Sequence, residues 1–291
     1  MKCRRHFILI FVVLFLIAAG CVFELYISEY ELTVTNYRIE AHIEKNIRIV
    51  QLTDLHNSEF GENNCRLVAS VSQQNPDLIL ITGDLLNSDE NKTEVAVSLI
   101  KQLCIIAPVY FSYGNHETDF ESLYGENLKS HFEEAGATVL DFSWQDITVD
   151  GQNLRIGGLF GYCMPEKYLE SNEAVQAECD FLNKFQDTDL YTILLCHMPY
   201  CWIQMNGLNE WNADCIFSGH THGGQIRVPF VGGLWAPDQG WFPGNEAGLY
   251  YSDDNSKVMI LSRGLGSTEK IPRFNNVPEI VVMDIVPVRN N

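Results

Sequence analysis

Five short apolar segments of this chain each end in residues that can bind a metal ion, and this pattern limits the folds that are open to it. Each segment has the length and aliphatic content of a buried β-strand. The pairs are 47–52 with Asp54 and His56, 78–81 with Gly83 and Asp84, 109–113 with Gly114, Asn115, His116 and Glu117, 193–196 with His197, and 215–217 with Gly219, His220 and His222. Parallel strands end at one edge of a sheet, so the pattern predicts that oxygen and imidazole groups meet there.

The remaining periodicity predicts an α/β fold. Amphipathic stretches predict helices over 64–74, 93–103, 123–135 and 174–185, and strand-like segments cover 146–149, 154–159, 257–262 and 279–286. Helices separate the early strands, which favours parallel pairing, whereas the later strands follow one another closely, which favours mixed sheets. We therefore predict two mixed sheets packed together with helices outside.

The N-terminus has the pattern of a membrane segment. Three basic residues lie within the first five positions, and residues 7–23 carry no charge, a length that can cross a hydrocarbon layer of about 30 Å. The basic flank is expected in the cytoplasm and the rest outside. We predict a single-pass cell-membrane protein with an anchor over 1–27 and one domain over 28–291. A cleaved signal peptide, or lipidation at Cys21, is the alternative.

Charge and cysteine content limit the partners and the compartment. With 38 acidic and 19 basic residues, the formal net charge of -19 argues against a nucleic-acid partner. The nine cysteines are an odd number with no zinc-knuckle spacing. Cys104, Cys196 and Cys215 lie in apolar segments and are interpreted as small core residues. Unpaired thiols in an exported domain indicate a reducing or anaerobic setting, unless bridges form.

The combination of ligand types favours a metal site over ordinary turns. Each motif alone is common in loops, but five of the eight histidines follow strands, which leaves only His6, His42 and His131 elsewhere. A mixed Asp, His and Asn set suits Mn, Fe or Zn. The two oxygens of Asp84 could bridge cations about 3.5 to 4 Å apart, the separation used for in-line displacement at phosphorus.

These motifs, in this order, resemble those of the calcineurin-like metallophosphoesterases. Asn57 and the segments 223–227, 236–240 and 272–275 are similar to the membrane-anchored bacterial branch typified by YkuE and YaeI. The resemblance implies the metallo-dependent phosphatase fold, a four-layer α-β-β-α double sandwich of two mixed sheets, after an N-terminal transmembrane helix. It also implies two divalent or trivalent metal ions, with Mn, Fe or Zn expected and Ca or Mg as alternatives.

The resemblance further implies roles for individual residues. One metal would take Asp54, His56, Asp84 and His222, and the other would take Asp84, Asn115, His197 and His220. A metal-bridging hydroxide would attack phosphorus, and His116 would stabilise or protonate the leaving oxygen. Asp84, Asn115 and His116 are thus the expected catalytic residues.

Substrate-binding residues are less defined by the sequence. Asn57, Arg227, Arg263 and Arg273 are candidate substrate contacts, with surface charge as the alternative for the arginines. The aromatic-rich segment 228–251 is interpreted either as a loop packed by its own side chains or as an apolar lip for a lipid-linked substrate.

We therefore expect a membrane-tethered phosphodiesterase or pyrophosphatase that acts on a lipid-linked substrate, in the manner of the UDP-2,3-diacylglucosamine diphosphatases that some relatives resemble. Two alternatives remain open. One is a phosphomonoesterase or protein phosphatase, which differs only in the leaving group. The other is a non-catalytic metal-binding scaffold.

Overall fold

The computed structural model describes residues 2–267 and 271–288, and in this part of the chain strands alternate with helices. The helices are α1 (Lys2–Tyr30), α2 (Cys65–Gln73), α3 (Glu94–Leu103), α4 (Asn115–Tyr124), α5 (Leu128–Glu134), α6 (Gln176–Phe185), α7 (Tyr200–Ile203) and α8 (Gly207–Glu210). The strands are β1 (Thr33–Ala41), β2 (Ile47–Leu52), β3 (Leu78–Thr82), β4 (Val109–Ser112), β5 (Thr138–Val139), β6 (Ser143–Val149), β7 (Gln152–Leu159), β8 (Tyr191–Cys196), β9 (Cys215–Ser218), β10 (Arg227–Val228), β11 (Gly232–Gly233), β12 (Trp235–Ala236), β13 (Gly240–Trp241), β14 (Gly248–Tyr251), β15 (Val258–Leu261) and β16 (Glu279–Pro287).

The strands form two mixed six-stranded sheets. The first has the order β1-β16-β2-β3-β4-β5, and β2 to β5 pair in parallel. The second has the order β14-β15-β9-β8-β7-β6, and β15, β9, β8 and β7 pair in parallel. Each sheet therefore presents the carboxyl ends of several neighbouring strands at one edge.

Three apolar clusters show that the sheets form the inner layers of a four-layer sandwich. One cluster joins the sheets, with Ile49 and Met283 of the first beside Ile193 and Phe217 of the second. A second packs α2, α3 and α5 on the outer face of the first sheet. The third packs α6 on the second sheet, with Phe185 fully buried. Burial on both faces explains why β3 is apolar from Leu78 to Ile81, because a strand covered on both sides has no polar face. The α/β double sandwich expected from the sequence is confirmed.

Two of the local predictions need correction. The single helix predicted over 123–135 is two helices, because Gly125 ends α4 in a left-handed conformation (φ 66°) and Asn127 begins α5 by accepting a hydrogen bond from Ser130 N. The sequence analysis also gave no strand before residue 47, whereas β1 pairs in parallel with β16. The first three side chains of β1 are partly buried, and from Asn36 exposed positions alternate with partly or fully buried ones, so the strand lacks a continuous apolar run.

α1 contains a 25-residue stretch, His6–Tyr30, that is long and apolar enough to cross a membrane, a property that signal sequences share. Its last turn contacts the rest of the chain. Ser28 is fully buried and its Oγ accepts a hydrogen bond from Asn276 N, while Arg66 donates to Tyr30 O. None of the eight cysteines that the structure describes is in a disulfide.

Candidate metal centre

The candidate metal centre lies where strands of both sheets end. In the first sheet, Asp54 and His56 follow β2, Asp84 follows β3, and Asn115 and His116 begin α4 directly after β4. In the second sheet, His197 follows β8, and His220 and His222 follow β9. The side chains converge because parallel strands of two packed sheets deliver their carboxyl ends to a common cleft.

Three overlapping clusters of ligand atoms form in this cleft. They consist of Asp54, His56 and His222; of His56, Asp84 and His116; and of Asp84, His197 and His220. Within each cluster the ligand atoms lie within 4.8 Å of one another. Asp84 belongs to two clusters, and its Oδ2 lies 3.1 Å from His197 Nε2 and 3.8 Å from His56 Nε2. His56 is shared by the first two clusters and Asp84 by the last two, so the three clusters form one centre.

The backbone at the centre is strained. Asp54, His56, Asp84, His220 and His222 all have φ between 48° and 74°. Residues other than glycine rarely adopt this region, and each such residue costs on the order of 1 to 3 kcal/mol. The fold therefore tolerates five unfavourable conformations to aim these side chains inward, which is typical of a functional site.

Two glycines of the motifs allow the loops to approach each other. A Cβ on Gly83, whose φ is 84°, would lie 2.3 Å from Gly114 N. A Cβ on Gly219 would lie 2.5 Å from Asp54 Oδ2. Neither space admits a side chain, so glycine is required for the loops to bring their ligands together.

Hydrogen bonds fix two of the imidazole tautomers. His197 Nδ1 lies 2.7 Å from the Thr82 carbonyl oxygen and must donate to it. Asn87 Nδ2 donates to His56 O, which turns Asn87 Oδ1 toward His56 Nδ1 at 3.0 Å. In both neutral rings Nε2 then carries the lone pair, and it points into the centre, as in metal-binding histidines held by an outer partner.

Comparison with known proteins identifies the family. Residues 47–224 match the family described as calcineurin-like phosphoesterase, and this span contains every residue of the three clusters. The chain belongs to the calcineurin-like phosphoesterases. It is therefore a metallophosphoesterase, a hydrolase that acts on phosphoester bonds.

Curated relatives resemble this metallophosphoesterase along most of its length. It is 27% identical over 270 residues to the uncharacterized metallophosphoesterase YkuE of Bacillus subtilis, which covers 89% of this chain and 87% of that protein. It is 31% identical over 252 residues to the phosphodiesterase YaeI of Escherichia coli, with 82% of each chain covered. The crystal structure of TT1561 of Thermus thermophilus aligns with a TM-score of 0.45 and 11% identity over 76% of this chain and 90% of that one.

The donor atoms of this metallophosphoesterase fit metal ions. Buried His56 Nε2, His197 Nε2, His222 Nδ1 and Asn115 Oδ1 have no hydrogen-bond partner among the residues that the structure describes. Buried polar atoms almost always have a hydrogen-bond partner. Four buried atoms in one cleft without such a partner are therefore candidates for binding a metal ion. Imidazole nitrogen and amide and carboxylate oxygen together suit borderline divalent metals.

Charge coupling in the cleft also favours cations. Burial alone would raise the pKa of Asp84. The facing imidazoles, above all that of His197, have a larger opposite effect and hold the pKa of Asp84 well below its usual range. In turn, the negative charge of Asp84 outweighs the lowering effect of burial on His197 and raises the pKa of that imidazole to about 10. Burial lowers the pKa of His56 to about 3. His56 therefore stays neutral, which is the form that binds metals.

His116 differs from the other histidines of the centre. Ser88 N donates to His116 Nδ1 at 3.0 Å, so the proton of the neutral ring lies on Nε2. The ring is partly exposed and stands edge-on to His56, with centroids 4.6 Å apart. His116 thus presents an N–H donor beside the cluster.

Sequence analysis missed several residues that position the ligands. Asp238 Oδ2 lies 3.1 Å from His220 Nε2, and Tyr162 donates to Asp238 Oδ1. Glu117 is fully buried and accepts hydrogen bonds from the backbone N–H groups of Asp84, Leu85 and Gly114. Asp238 and Glu117 lie in motifs that were noticed without a role, whereas Asn87 carried no signal at all.

The candidate substrate residues have different surroundings. Asn57 is partly buried beside His56 in a pocket that Glu29 of α1 also lines. Arg227 contacts Glu246 and the Gly223 carbonyl, and Arg263 contacts Glu279. Arg273 is 1% exposed and donates to the carbonyls of Gly266 and Arg263, so it is not a surface charge.

Proposed function

We propose that this chain is a membrane-tethered phosphodiesterase with a dinuclear metal centre, and that its substrate is a lipid-linked phosphodiester or pyrophosphate. The convergence of seven aspartate and histidine side chains in three overlapping clusters is the observation that supports the proposal most strongly. The five strained backbone positions that aim these groups inward also support a functional site, and catalytic turnover distinguishes an enzyme from a non-catalytic metal-binding scaffold.

The proposed ligand sets divide the centre into two halves. Asp54, His56, Asp84 and His222 would hold one cation, and Asp84, Asn115, His197 and His220 would hold the other. Two cations supply Lewis acidity at the phosphoryl oxygens and a nucleophilic oxygen at neutral pH. The buried acceptors with no other partner support this assignment.

The protein groups then orient the substrate and supply a proton. The bond between Ser88 N and His116 Nδ1 leaves the Nε2 proton of His116 available to the leaving oxygen of the ester. Asn115 starts α4 beside Asp84, whose Oδ1 accepts from His116 N, so the donor and the ligands are held in one rigid unit. Asn57 and the pocket beside His56 are the proposed place for the substituent on the phosphate.

The membrane part of the proposal is supported by α1. Its apolar stretch can span a bilayer, and the proposed division is an anchor over 1–27 followed by the catalytic domain over 28–291, outside the cytoplasm. The name of YaeI, a phosphodiesterase, supports the choice of a diester over a monoester.

The test is hydrolysis by the purified full-length chain loaded with Mn, Zn, Ca or Mg. We expect bis(p-nitrophenyl) phosphate to be cleaved and p-nitrophenyl phosphate to be a poor substrate. A preference for the monoester would reassign the protein as a phosphomonoesterase. If the purified protein bound none of these metals, the proposed function would be refuted.

A further inference from the structure

Four large apolar side chains stand in solvent on the segment next to the candidate metal centre. The exposed fractions are 109% for Phe230, 59% for Val231, 72% for Trp241 and 65% for Phe242. We refer to these four residues as the aromatic patch. Side chains of this kind are normally buried, and a group of them on one surface marks a place of interaction.

Two adjacent β-hairpins carry the aromatic patch. Phe230 and Val231 lie in the turn between β10 and β11, Trp241 ends β13, and Phe242 follows it. Phe242 N donates to Leu234 O, which ties one hairpin to the other. Phe230 has a φ of 68° and Phe242 a φ of 56°. These left-handed conformations are unfavourable for bulky residues, so the hairpins hold the rings outward against a local backbone preference.

The hairpins connect the metal centre with the end of α1. On one side, Asp238 lies in the turn of the second hairpin and contacts His220. On the other, Arg227 N donates to Phe274 O, and two residues later Asn276 N donates to Ser28 Oγ of α1. Hydrogen-bonded contacts therefore link the aromatic patch both to the metal centre and to the last turn of α1, and Glu29 of that turn lines the same pocket as His56.

The charge pattern selects the kind of partner. Residues 228–237 and 239–245 contain no charged side chain, and Asp238 between them is paired with His220, although the chain as a whole has a formal net charge of -19. Electrostatic attraction does not draw an acidic protein to an anionic lipid surface. Contact with such a surface must therefore come from the insertion of apolar side chains. Trp and Phe on neutral loops are the residues that favour the boundary between lipid headgroups and acyl chains.

We propose that the aromatic patch inserts into the lipid surface from which α1 emerges, and so holds the mouth of the metal centre against the headgroups. The proposal rests on the function and the anchor role given above. A phosphoester carried by a membrane lipid then reaches the centre without leaving the bilayer, so the substrate class is lipid-borne phosphoesters.

Tryptophan quenching by lipid with brominated acyl chains tests the insertion directly. The full-length chain is reconstituted in phosphatidylcholine vesicles, with Trp241→Phe as the background. This change removes the tryptophan of the patch and leaves Trp144, Trp202, Trp211 and Trp235 as a constant background emission. In this background Phe230→Trp places a reporter in the patch. Ile105→Trp is the matched control, since Ile105 is also exposed (86%) but lies before β4, at the end of the sheet opposite the metal centre.

We expect the emission of the Phe230→Trp protein to be quenched beyond the background and that of the Ile105→Trp protein to stay at the background. Equal quenching of both reporters, or of neither, would overturn the docking proposal. This measurement needs no catalysis, so it gives an answer even if the proposed activity fails.

A second measurement tests the substrate class. The Phe230→Ser/Trp241→Ser double variant is assayed on a vesicle-borne phosphatidyl p-nitrophenol diester and on soluble bis(p-nitrophenyl) phosphate, which share a leaving group. We expect the rate on the lipid to fall by about tenfold and the rate on the soluble diester to stay within about twofold. Equal changes on both substrates would refute the lipid-borne class, and no cleavage of either by the wild type would refute the proposed function instead.

Discussion

The Nε2 atom of His197 lies 3.1 Å from Oδ2 of Asp84, while Nδ1 of the same ring donates to the Thr82 carbonyl. In the neutral ring Nε2 is an acceptor, so two acceptors face each other in a fully buried place. Such a pair is stable only with positive charge between its members, and a metal ion supplies that charge without consuming a proton.

Asp84→Asn should empty both metal positions, because the amide offers one neutral oxygen where two charged ones are needed. We expect the metal content measured by mass spectrometry to fall to background and turnover to fall at least about 10²-fold. His131→Asn, a histidine of α5 away from the centre, is the control and should retain both. Full metal content in the Asp84 variant would contradict the bridging role.

His116→Ala should separate catalysis from metal binding. Loss of the Nε2 donor is expected to lower kcat by about 10²- to 10⁴-fold, the usual contribution of a general acid. The metal content should remain that of the wild type, because Ser88 already occupies Nδ1. Parallel loss of metal and activity would make His116 a ligand.

Asp238→Ala should weaken the metal position of His220. Asp238 orients this imidazole, and removal of such a partner typically lowers metal affinity by about 10- to 100-fold. Competition with a chelator measures the affinity, and Asp238→Asn should recover part of it because the amide oxygen can still accept from Nε2. If alanine and asparagine behave alike and like the wild type, Asp238 has no positioning role.

Glu117→Ala should destabilise the fold, because it leaves three buried backbone N–H groups without an acceptor. At about 1 to 3 kcal/mol for each unpaired group, we expect a loss of at least about 3 kcal/mol in urea unfolding. Asp119→Ala, an exposed position on the same helix, should change stability little. A small effect of both substitutions would show that water satisfies the freed groups.

Glu178→Gln should remove a pH dependence of stability. Burial raises the pKa of Glu178 to about 7, although the hydrogen bond from the backbone N–H of Tyr162 partly opposes this shift. The titratable groups that face Glu178 include the thiols of Cys163 and Cys201. Because the pKa of Glu178 is raised in the folded state, its contribution to the free energy of unfolding is complete below pH about 4.5 and is lost as the pH rises through about 7. From pH 5 to pH 8 the wild type should lose stability relative to the variant by an amount on the order of 3 kcal/mol. Parallel unfolding curves for the two proteins across this range would refute the shift.

The ligand motifs were predictable because strand ends and residue types are both local properties of the sequence. The positions of β2, β3, β4, β8 and β9 follow from short apolar runs, and the direction of parallel strands then places their polar ends together. That the two sheets share one cleft does not follow from the runs themselves. The runs alone predicted a single sheet edge, whereas the structure divides these five strands between two sheets.

The residues that the sequence analysis missed act through long-range contacts. Asn87 and Asp238 have no ligand motif, and their role depends on the distance to His56 and His220 in the folded chain. The break between α4 and α5 was missed for a different reason. Apolar residues continue at helical spacing across Gly125, so periodicity hid the turn that its conformation creates.

The pairing of β1 with β16 joins the two ends of the chain. Thr33, just after α1, lies opposite Glu279, so the first strand has no neighbour in its sheet until the last one has been synthesised. A chain truncated ahead of β16 would therefore leave β1 without a partner and β2 with an open edge. Folding intermediates in which β16 has not yet paired are thus the ones most exposed to aggregation, because open strand edges recruit other chains.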